Sequence, residues 1–404
     1  MSGEARLPAA GWRSREGLAA LLSALGSAAG LTRFVGGAVR DTMLDLPVSD
    51  IDCATVLPPD QVMERIRRAG LKAVPTGLAH GTITAVTPSG PVEVTTLRRD
   101  VSTDGRRATV AFTQDWREDA ARRDFTINAL SAEPESGRIH DYFGGLADLA
   151  AGRVRFIGEP LKRIAEDHLR ILRFFRFHAR FGRGEPDAAG LAACAARAND
   201  LMALSRERVA DELLKLLAIS DPAPTLATML DHGIWQPVLP EIGADGLARL
   251  QRLIDRERMA GITPDPLRRL AALLPADPGQ VGAVAARLKL SKAAQRRLTA
   301  AAARENDAQP PRALAYRLGH DEAVDRLLLC ERDLAAIAAL NGWQRPRLPL
   351  GGGDLITMGL PAGPIVARTL QAVEARWIAE DFPGAARVRA LAREAVDQAL
   401  RSAQ

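Results

Sequence analysis

The sequence predicts an α+β N-terminal region, a small mixed sheet with helices, followed by an all-α remainder. Three observations carry this. Short strand-like runs alternate with brief helices and glycine turns through residue 158, and from Pro160 onward the pattern changes to helices that run nearly to the end. The stretch Phe34 to Asp52, FVGGAVRDTMLDLPVSDID, reads as a strand, a double-glycine turn, a short helix and a second strand ending in two carboxylates one residue apart. The rest of the chain is organised around it.

Residues 14 to 29 carry apolar positions at helical spacing and lead through Gly30 into the first strand, Leu31 to Val35. Gly36 and Gly37 separate that strand from a helix-like run, Ala38 to Leu44. Without a Cβ there, backbone N–H groups can approach a phosphate closely. Arg40 and Asp41 fall in the first helical turn. Strand residues i and i+2 share a face, so Asp50 and Asp52 aim one way while Ile51 points into the core. Two anions held side by side repel unless a hard divalent cation sits between them, and Mg²⁺ is held by one or two carboxylates plus substrate phosphates. That is a phosphoryl-transfer arrangement. Alone, Asp-x-Asp is common in surface loops and Gly-Gly is an ordinary turn; joined in this order they are far more specific.

Pro58-Pro59-Asp60 starts a helix, Gln61 to Ala69, that stops at Gly70. Strand-like runs follow at Lys72 to Val74, Gly81 to Thr87 and Val92 to Leu97, the last two joined by a Pro88-Ser89-Gly90 turn. Glu93 either completes a triad with Asp50 and Asp52 or is a solvated strand-face residue. Arg98 to Trp116 is polar and broken at Asp104-Gly105, a loop or irregular hairpin whose length suggests a mobile lid. In DAARRDFTINAL, residues 119 to 130, apolar and charged positions recur at helical spacing. Arg122 and Arg123 can clamp a triphosphate, Asp124 can bond a ribose hydroxyl and Asn128 can hold the backbone; without context the triplet is a surface salt-bridge cluster. Residues 138 to 158 read as a strand, a Gly144-Gly145 turn, a short helix and a last strand.

The first of the later helices, RIAEDHLRILRFFRFHARFG (residues 163 to 182), places Asp167 and Arg170 three apart on one face, with Arg173 and Arg176 continuing the step. A salt-bridged amphipathic helix with a phenylalanine face is the plain reading. Beside the upstream motifs it also suits base reading, because a carboxylate accepts and a guanidinium donates. Cytosine (N4–H, N3) and adenine (N6–H, N1) complement that order, uracil and guanine oppose it, and each good bidentate contact is worth about 1–3 kcal/mol. Arg173 and Arg176 are left to face phosphate or neighbouring acids. Leu204 to Leu217 is a further helix with Ser205 as N-cap and Arg208 bracing the arginine helix. Residues 221 to 341 are Ala/Leu/Arg-rich helices broken by Pro and Gly, with no clear repeat and no metal-ligand spacing. Pro346 to Gly353 is a linker, and GGGDLITMGLPAGPIVARTL then gives a helix, a break and a longer helix, suited to close approach to an RNA backbone or to a plain hairpin.

Composition agrees with a folded chain of several domains: 404 residues, 47% hydrophobic and 25% charged. The formal charge is +5 with a pI near 9.5, and arginine outweighs lysine, which favours a phosphate-bearing partner. A GC-rich genome explains any single arginine equally well. Cys53, Cys194 and Cys330 are far apart and odd in number, which supports neither a disulfide framework nor a zinc knuckle and fits a reducing, cytoplasmic setting. No apolar run reaches the roughly 18 residues of a membrane span.

In order, GGAVRD, DID, HGTIT, EVTTLR, TDGRRA, RRDFTINAL, DYFGGLADL, EDHLRILRFFRF and RERVADELLKLL resemble the class II CCA-adding enzymes of the nucleotidyltransferase and poly(A) polymerase superfamily, closest to their alphaproteobacterial and mitochondrial branch. The match is dense to about residue 220, with the GGGDL...GLPAGP tail as a supplement. The resemblance implies a catalytic nucleotidyltransferase head (1–158), then an all-α neck for base selection (159–220), body (221–345) and tRNA-binding tail (346–404). It implies addition of C, C and A to the tRNA 3′ end from CTP and ATP by two-metal transfer with Mg²⁺. Asp50 and Asp52 would hold metal, with Glu93 a third carboxylate. Gly37 and Arg40 would contact the triphosphate, Arg123 and Asp124 phosphate and ribose, Asp167 and Arg170 the base, and Arg173 and Arg176 would complete that pocket. A bacterial poly(A) polymerase and a partial CC- or A-adding enzyme are the alternatives. The first usually departs in the neck and carries a basic extension; a CC-adding enzyme typically lacks the loop before RRDFTIN, which is present here and favours terminal A addition.

Overall fold

Helix α1 (Leu18–Ala24) is shorter than its apolar periodicity because glycines in the left-handed region, Gly17 (φ 84°) and Gly26 (φ 70°), close it at both ends. It opens the first of two compact units, Met1–Pro240 and Glu241–Gln404, in the computed structural model of the chain, which describes residues 4–103, 108–304 and 309–402.

The first unit continues with β1 (Thr32–Val35), α2 (Gly37–Met43), β2 (Ile51–Thr55), α3 (Pro59–Arg68), β3 (Lys72–Gly77), β4 (Thr82–Thr87), β5 (Gly90–Thr96), β6 (Arg98–Thr103), β7 (Ala108–Phe112), α4 (Trp116–Ala121), β8 (Ser131–Ala132), β9 (Ile139–His140) and α5 (Gly145–Ala151). Seven strands form one sheet in the order β3-β4-β5-β2-β1-β8-β9. Its β2–β5 pair is parallel and the other pairs antiparallel, so the sheet is mixed as expected. One face buries Phe34, Ile51, Cys53, Ile83, Val92 and Val94, and α3 packs on β4 and β5 from that side. The register sets Asp52 opposite Glu93 on the other face.

Four expectations are corrected. The carboxylates open the second strand rather than end it: Asp50 precedes β2 and Asp52 is its second residue, because pairing with β1 and β5 begins only at Ile51. Residues 119 to 130 do not continue as a helix. Helix α4 stops at Ala121, and Phe125 instead makes a bridge to Phe156 and buries its ring against Phe156, Phe174 and Phe177 at 4.9, 6.3 and 5.3 Å. The last strand expected before residue 158 is reduced to that same bridge. The arginine helix is broken into α6 (Pro160–Glu166) and α7 (Arg170–Phe181), because Asp167 adopts an extended backbone (φ −154°, ψ 108°) and its carboxylate accepts from Leu169 N–H at 3.1 Å.

The irregular hairpin appears as a separate antiparallel ribbon of β6 and β7, with a register shift between Asp100 and Ser102. The break at Asp104-Gly105, and with it the tip of the expected lid, lies outside the described residues. The unit ends with α8 (Ala188–Ala196), α9 (Arg206–Leu217) and α10 (Ala223–Asp231). It therefore holds the expected head and neck together with the start of the expected body.

The second unit is helical: α11 (Ala244–Met259), α12 (Pro266–Leu273), α13 (Pro278–Arg287), α14 (Lys292–Ala302), α15 (Pro311–Leu318), α16 (His320–Leu329), α17 (Leu334–Ala338), α18 (Gly352–Thr357), α19 (Pro364–Ala379) and α20 (Ala385–Arg401). The last three close an apolar core of Leu355, Leu360, Val373, Trp377, Val388 and Leu391. Buried among α11, α12, α14 and α16 is a charge network: Arg268 donates to Glu257 and Asp325 at 2.8 Å each, Arg269 to Glu257 at 2.9 Å, and Arg297 to Asp325 at 2.7 and 2.9 Å. Among the described residues no helix is long and apolar enough to cross a membrane.

Asp325 is fully buried between Arg268 and Arg297. Replacing one member of a buried ion-pair network leaves uncompensated charge and costs about 3–5 kcal/mol. Asp325→Ala is expected to lower the midpoint of urea unfolding accordingly, followed by far-ultraviolet circular dichroism, and an unshifted midpoint would show that the network contributes nothing.

Candidate active site

A cleft of about 360 Å³ lies within the first unit, between the β1–α2 turn, the residues after α4 and the start of α7. Its wall at the β1–α2 turn needs glycine. Gly36 has φ 65°, and a Cβ there would stand 3.1 Å from the Arg123 guanidinium. Gly37, expected at a triphosphate, lines the same wall.

Arg40 forms the floor. It is 6% exposed, donates to Asp41 at 2.7 Å and to Asn128 at 2.5 Å, and lies 4.2 Å above the Phe181 ring. Burial lowers its pKa, against the opposing effect of Asp41. Asn128 then passes the contact on, its amide donating to Asp124 at 2.9 Å. Its role is therefore to bridge two charged side chains as well as to shape the backbone.

Arg122 and Arg123 leave the last turn of α4 side by side. The buried carboxylate of Asp119 accepts from Arg122 at 2.8 Å and from Arg123 at 3.4 Å. Burial works to raise the Asp119 pKa, but Arg123, Arg122 and the Arg98 N–H outweigh it and hold the carboxyl below its ordinary value. Two backbone carbonyls at the same turn are taken by cations from the next helices: Arg163 donates to Ala121 O at 2.9 Å and Arg170 to Arg122 O at 3.1 Å.

Asp124 is placed for internal contacts rather than open to a ribose. One oxygen accepts from Phe125 N–H and Asn128, the other from Arg173 at 2.8 and 2.5 Å. All four acceptor positions of a carboxylate are then filled. Here too burial is outweighed, by Arg173 together with the Asn128 and Phe125 hydrogen bonds, which keep the pKa low, and Arg173 is raised in turn by Asp124 and Glu212 against its own burial. Glu212, buried on the apolar face of α9, accepts from Arg176 at 2.5 Å and stands 3.8 Å from Arg173. Arg176 is thereby directed to Glu212; it is Arg173 that lines the cleft.

Asp167 and Arg170 also line the cleft, but not as one helix face. Asp167 caps the gap between α6 and α7, and Arg208 of α9 donates to it at 2.7 Å, the bracing expected of Arg208. Arg170 begins α7 and is spent on Arg163 O at 2.9 Å, on Glu166 and on Arg122 O. Ser205 sits at the α9 N-cap position without a side-chain cap bond.

The acidic edge is formed by Asp50, Asp52 and Glu93. Asp50 is exposed and accepts from Ser49 at 2.8 Å. Asp52 is raised by burial first, then by Glu93 and Asp50, against Arg123. Glu93 is thus the carboxylate that Asp52 feels most, in keeping with their shared register. Among the described residues, no group of three His, Cys, Asp or Glu side chains is gathered as a metal cage. A hard cation that draws two carboxylates from the protein and its other oxygens from substrate and water nevertheless fits this edge, where crowded negative charge already disfavours ionisation.

Sequence reading missed the supporting acids. Glu212 carried a signal, an acid set among Val209, Ala210, Leu213 and Leu216 on the buried stripe of α9. Asp119 and Glu166 carried none beyond proximity to arginines.

The poly(A) polymerase head domain matches residues 32–155, and a probable RNA and SrmB-binding site of polymerase A matches residues 186–245. The chain is 34% identical over 362 residues to the mitochondrial CCA tRNA nucleotidyltransferase 1 of Mus musculus, covering 85% of this chain and 82% of the other. It is 33% identical to the CCA-adding enzyme of Limosilactobacillus fermentum, covering 83% and 86%. The crystal structure of the Bacillus stearothermophilus CCA-adding enzyme with CTP superposes with a TM-score of 0.71 at 28% identity, over 89% of this chain and 92% of that one. On the sheet, the cleft and these likenesses together, the chain belongs to the CCA-adding enzymes, the CCA tRNA nucleotidyltransferases of the poly(A) polymerase superfamily.

Proposed function

We propose that this protein adds C, C and A to the 3′ end of tRNA from CTP and ATP, releasing pyrophosphate, without a nucleic-acid template. The observation that carries the reading is the cleft lined by Asp52, whose register partner is Glu93, together with a rank of arginines, Arg122, Arg123, Arg170 and Arg173. A nucleoside triphosphate needs both: cations along its phosphates and carboxylate-held metal at the α-phosphorus. The family's membership, the head and neck of the first unit and the helical second unit support a division into catalytic head, base-selecting neck, body and tRNA-binding tail. Free, buried Cys53 and Cys194 support a reducing, cytoplasmic location.

Asp50 and Asp52 would hold Mg²⁺, with Glu93 bearing on Asp52. When bound, the metal supplies Lewis-acid activation of the tRNA 3′-hydroxyl and neutralises charge on the departing pyrophosphate. The chain's own residues do the rest. Arg122 and Arg123 receive the triphosphate, with Asp119 keeping the two guanidinium groups together. Arg40, Asn128 and Asp124 form a rigid floor that holds Arg173 at the cleft. Asp167, oriented by Arg208, accepts the exocyclic amino group of cytosine or adenine. Arg170 has three N–H groups engaged in the contacts above out of the five a guanidinium carries, and the remainder donate to N3 or N1. No covalent intermediate is required, because the hydroxyl attacks in line and the pyrophosphate leaves on the opposite side.

The experiment is extension of a labelled tRNA lacking its CCA end with purified protein, Mg²⁺ and each nucleotide. Growth by two residues with CTP and by a third only when ATP is added is expected. Long A-tails on any RNA would make the protein a poly(A) polymerase, and arrest after two C residues with both nucleotides present would make it a partial enzyme.

In the same assay Asp52→Asn is expected to lower kcat by on the order of 10³-fold, each tenfold being about 1.36 kcal/mol of lost transition-state stabilisation. Activity retained within a few-fold would remove Asp52 from the reaction. Arg170→Ala is expected to erode discrimination against UTP and GTP by about 10- to 100-fold, the loss of one bidentate base contact worth roughly 1–3 kcal/mol. The ratio of kcat/KM values for CTP and UTP reads it directly.

A further inference from the structure

The β6–β7 ribbon and the arginine pair are separate in sequence, yet one carboxylate touches both. Asp119 accepts from the backbone N–H of Arg98, the first residue of β6, at 3.2 Å, and from the side chains of Arg122 and Arg123 at 2.8 and 3.4 Å. It is 4% exposed. The neighbouring backbone is fastened as well: Leu97 N–H donates to Thr55 O of β2 at 2.8 Å, and Thr113 N–H, just after β7, donates to Leu97 O at 2.9 Å. The root of the ribbon is therefore pinned to the strand that carries Asp52, and Asp119 is the link from that root to the arginines.

Two guanidinium groups on adjacent residues repel, and a buried acid that binds both removes the repulsion and fixes their spacing. The fixed spacing matters only if something with more than one anionic group must meet both. On the other side of the same turn Arg170 grips the Arg122 carbonyl, so a shift of the turn reaches the base-reading residue also.

We infer that Asp119 is a positioning residue for the triphosphate: it ties the root of the β6–β7 ribbon to the Arg122–Arg123 pair and sets the spacing at which the pair receives a nucleotide. This rests on the nucleotide-binding reading of the cleft. Asp119 does not line the cleft, so its loss acts on nucleotide affinity through Arg122 and Arg123. Net stabilisation of its charged form by the arginines, over the opposing burial, accords with this arrangement.

The test measures CTP affinity by titration calorimetry and, separately, KM and kcat for CTP in tRNA extension, on the full chain. Asp119→Asn keeps the shape and an acceptor for Arg98 N–H but removes the charge shared by the arginines. Weakening of CTP binding and a rise in KM of about tenfold, with kcat within about threefold, are expected, the size of one charge-assisted contact. Arg123→Ala and the double variant Asp119→Asn/Arg123→Ala complete a cycle, and the double variant is expected to bind CTP no worse than Arg123→Ala within about twofold. A lowered melting temperature with unchanged CTP affinity would overturn the inference and leave Asp119 a stability residue, as would losses in the cycle that simply multiply. Failure of the unaltered protein to extend tRNA while still binding CTP would instead defeat the proposed reaction, and the calorimetric cycle would still decide the role of Asp119.

Discussion

The Asp124–Arg173 ion pair is the contact on which the cleft depends. Asp124 lies in the turn after α4 and Arg173 one turn into α7, and the carboxylate receives the guanidinium through two N–H groups at 2.8 and 2.5 Å. A buried carboxylate is tolerated when its lone pairs are matched, and Asn128 and Phe125 N–H complete the matching of Asp124, while Glu212 stands 3.8 Å from Arg173 as a second counter-charge. The Arg173 guanidinium lies 5.3 Å from the Phe177 ring, which packs on Phe125 and through it on Phe156 and Phe174. A sheet-bearing region and a helical one are thus joined by an ion pair beside an aromatic cluster, and the cleft is the space left at their junction.

From that joint the charges alternate outward. Asp41, Arg40, Asn128, Asp124 and Arg173 are joined by hydrogen bonds, and an ion pair at 3.8 Å continues to Glu212, which accepts from Arg176. Side chains tied at both ends cannot reorganise when a triphosphate arrives, so their field is preorganised rather than created by binding. The acidic edge is the opposite case. Asp50, Asp52 and Glu93 lack such mutual satisfaction, and burial and like charge raise Asp52. The balanced part of the site serves as scaffold, and the unbalanced part is where added positive charge relieves the greatest electrostatic cost.

What was legible in the sequence follows from the range of the interactions. The glycine pair, the alternation that buries Ile51 between Asp50 and Asp52, and the phenylalanine face of α7 are set by neighbours within a few residues, and period and turn chemistry expose them. The limits of β2 differ from those its motif suggests because they are set by pairing with β1 and β5. The supposed helix over residues 119 to 130 failed for a related reason: Phe125 is drawn out of helical geometry by rings some 30 to 50 positions away in the chain. The type and neighbourhood of Asp124 suit a ribose contact, and the arginine that donates to it lies in another helix, out of reach of local pattern. Asp119 and Glu166 were missed on the same principle, since an acid near arginines in sequence says little about which it will hold in space.

The break at Asp167 bears on the base reading proposed for Asp167 and Arg170. On a continuous helix, Asp167 and Arg170 would share a face but move with every rotamer of long side chains. In the broken form the two are fixed independently, Asp167 by Arg208 from α9 and by its own cap to Leu169, Arg170 by the carbonyls of Arg163 and Arg122. A fixed acceptor and a fixed donor define an edge, and cytosine and adenine present the same complementary edge to it. Hydrogen bonding can therefore reject uracil and guanine but cannot by itself choose between the two bases it admits. That choice must come from the room left for a pyrimidine or a purine against the edge. The turn bearing Arg122 and Arg123 borders this cleft, and Asp119 links it to the ribbon root and Arg170 to the proposed reading edge. Under the proposed function, the identity of the nucleotides accepted would be a property of the edge, and the choice between them a property of the space beside it.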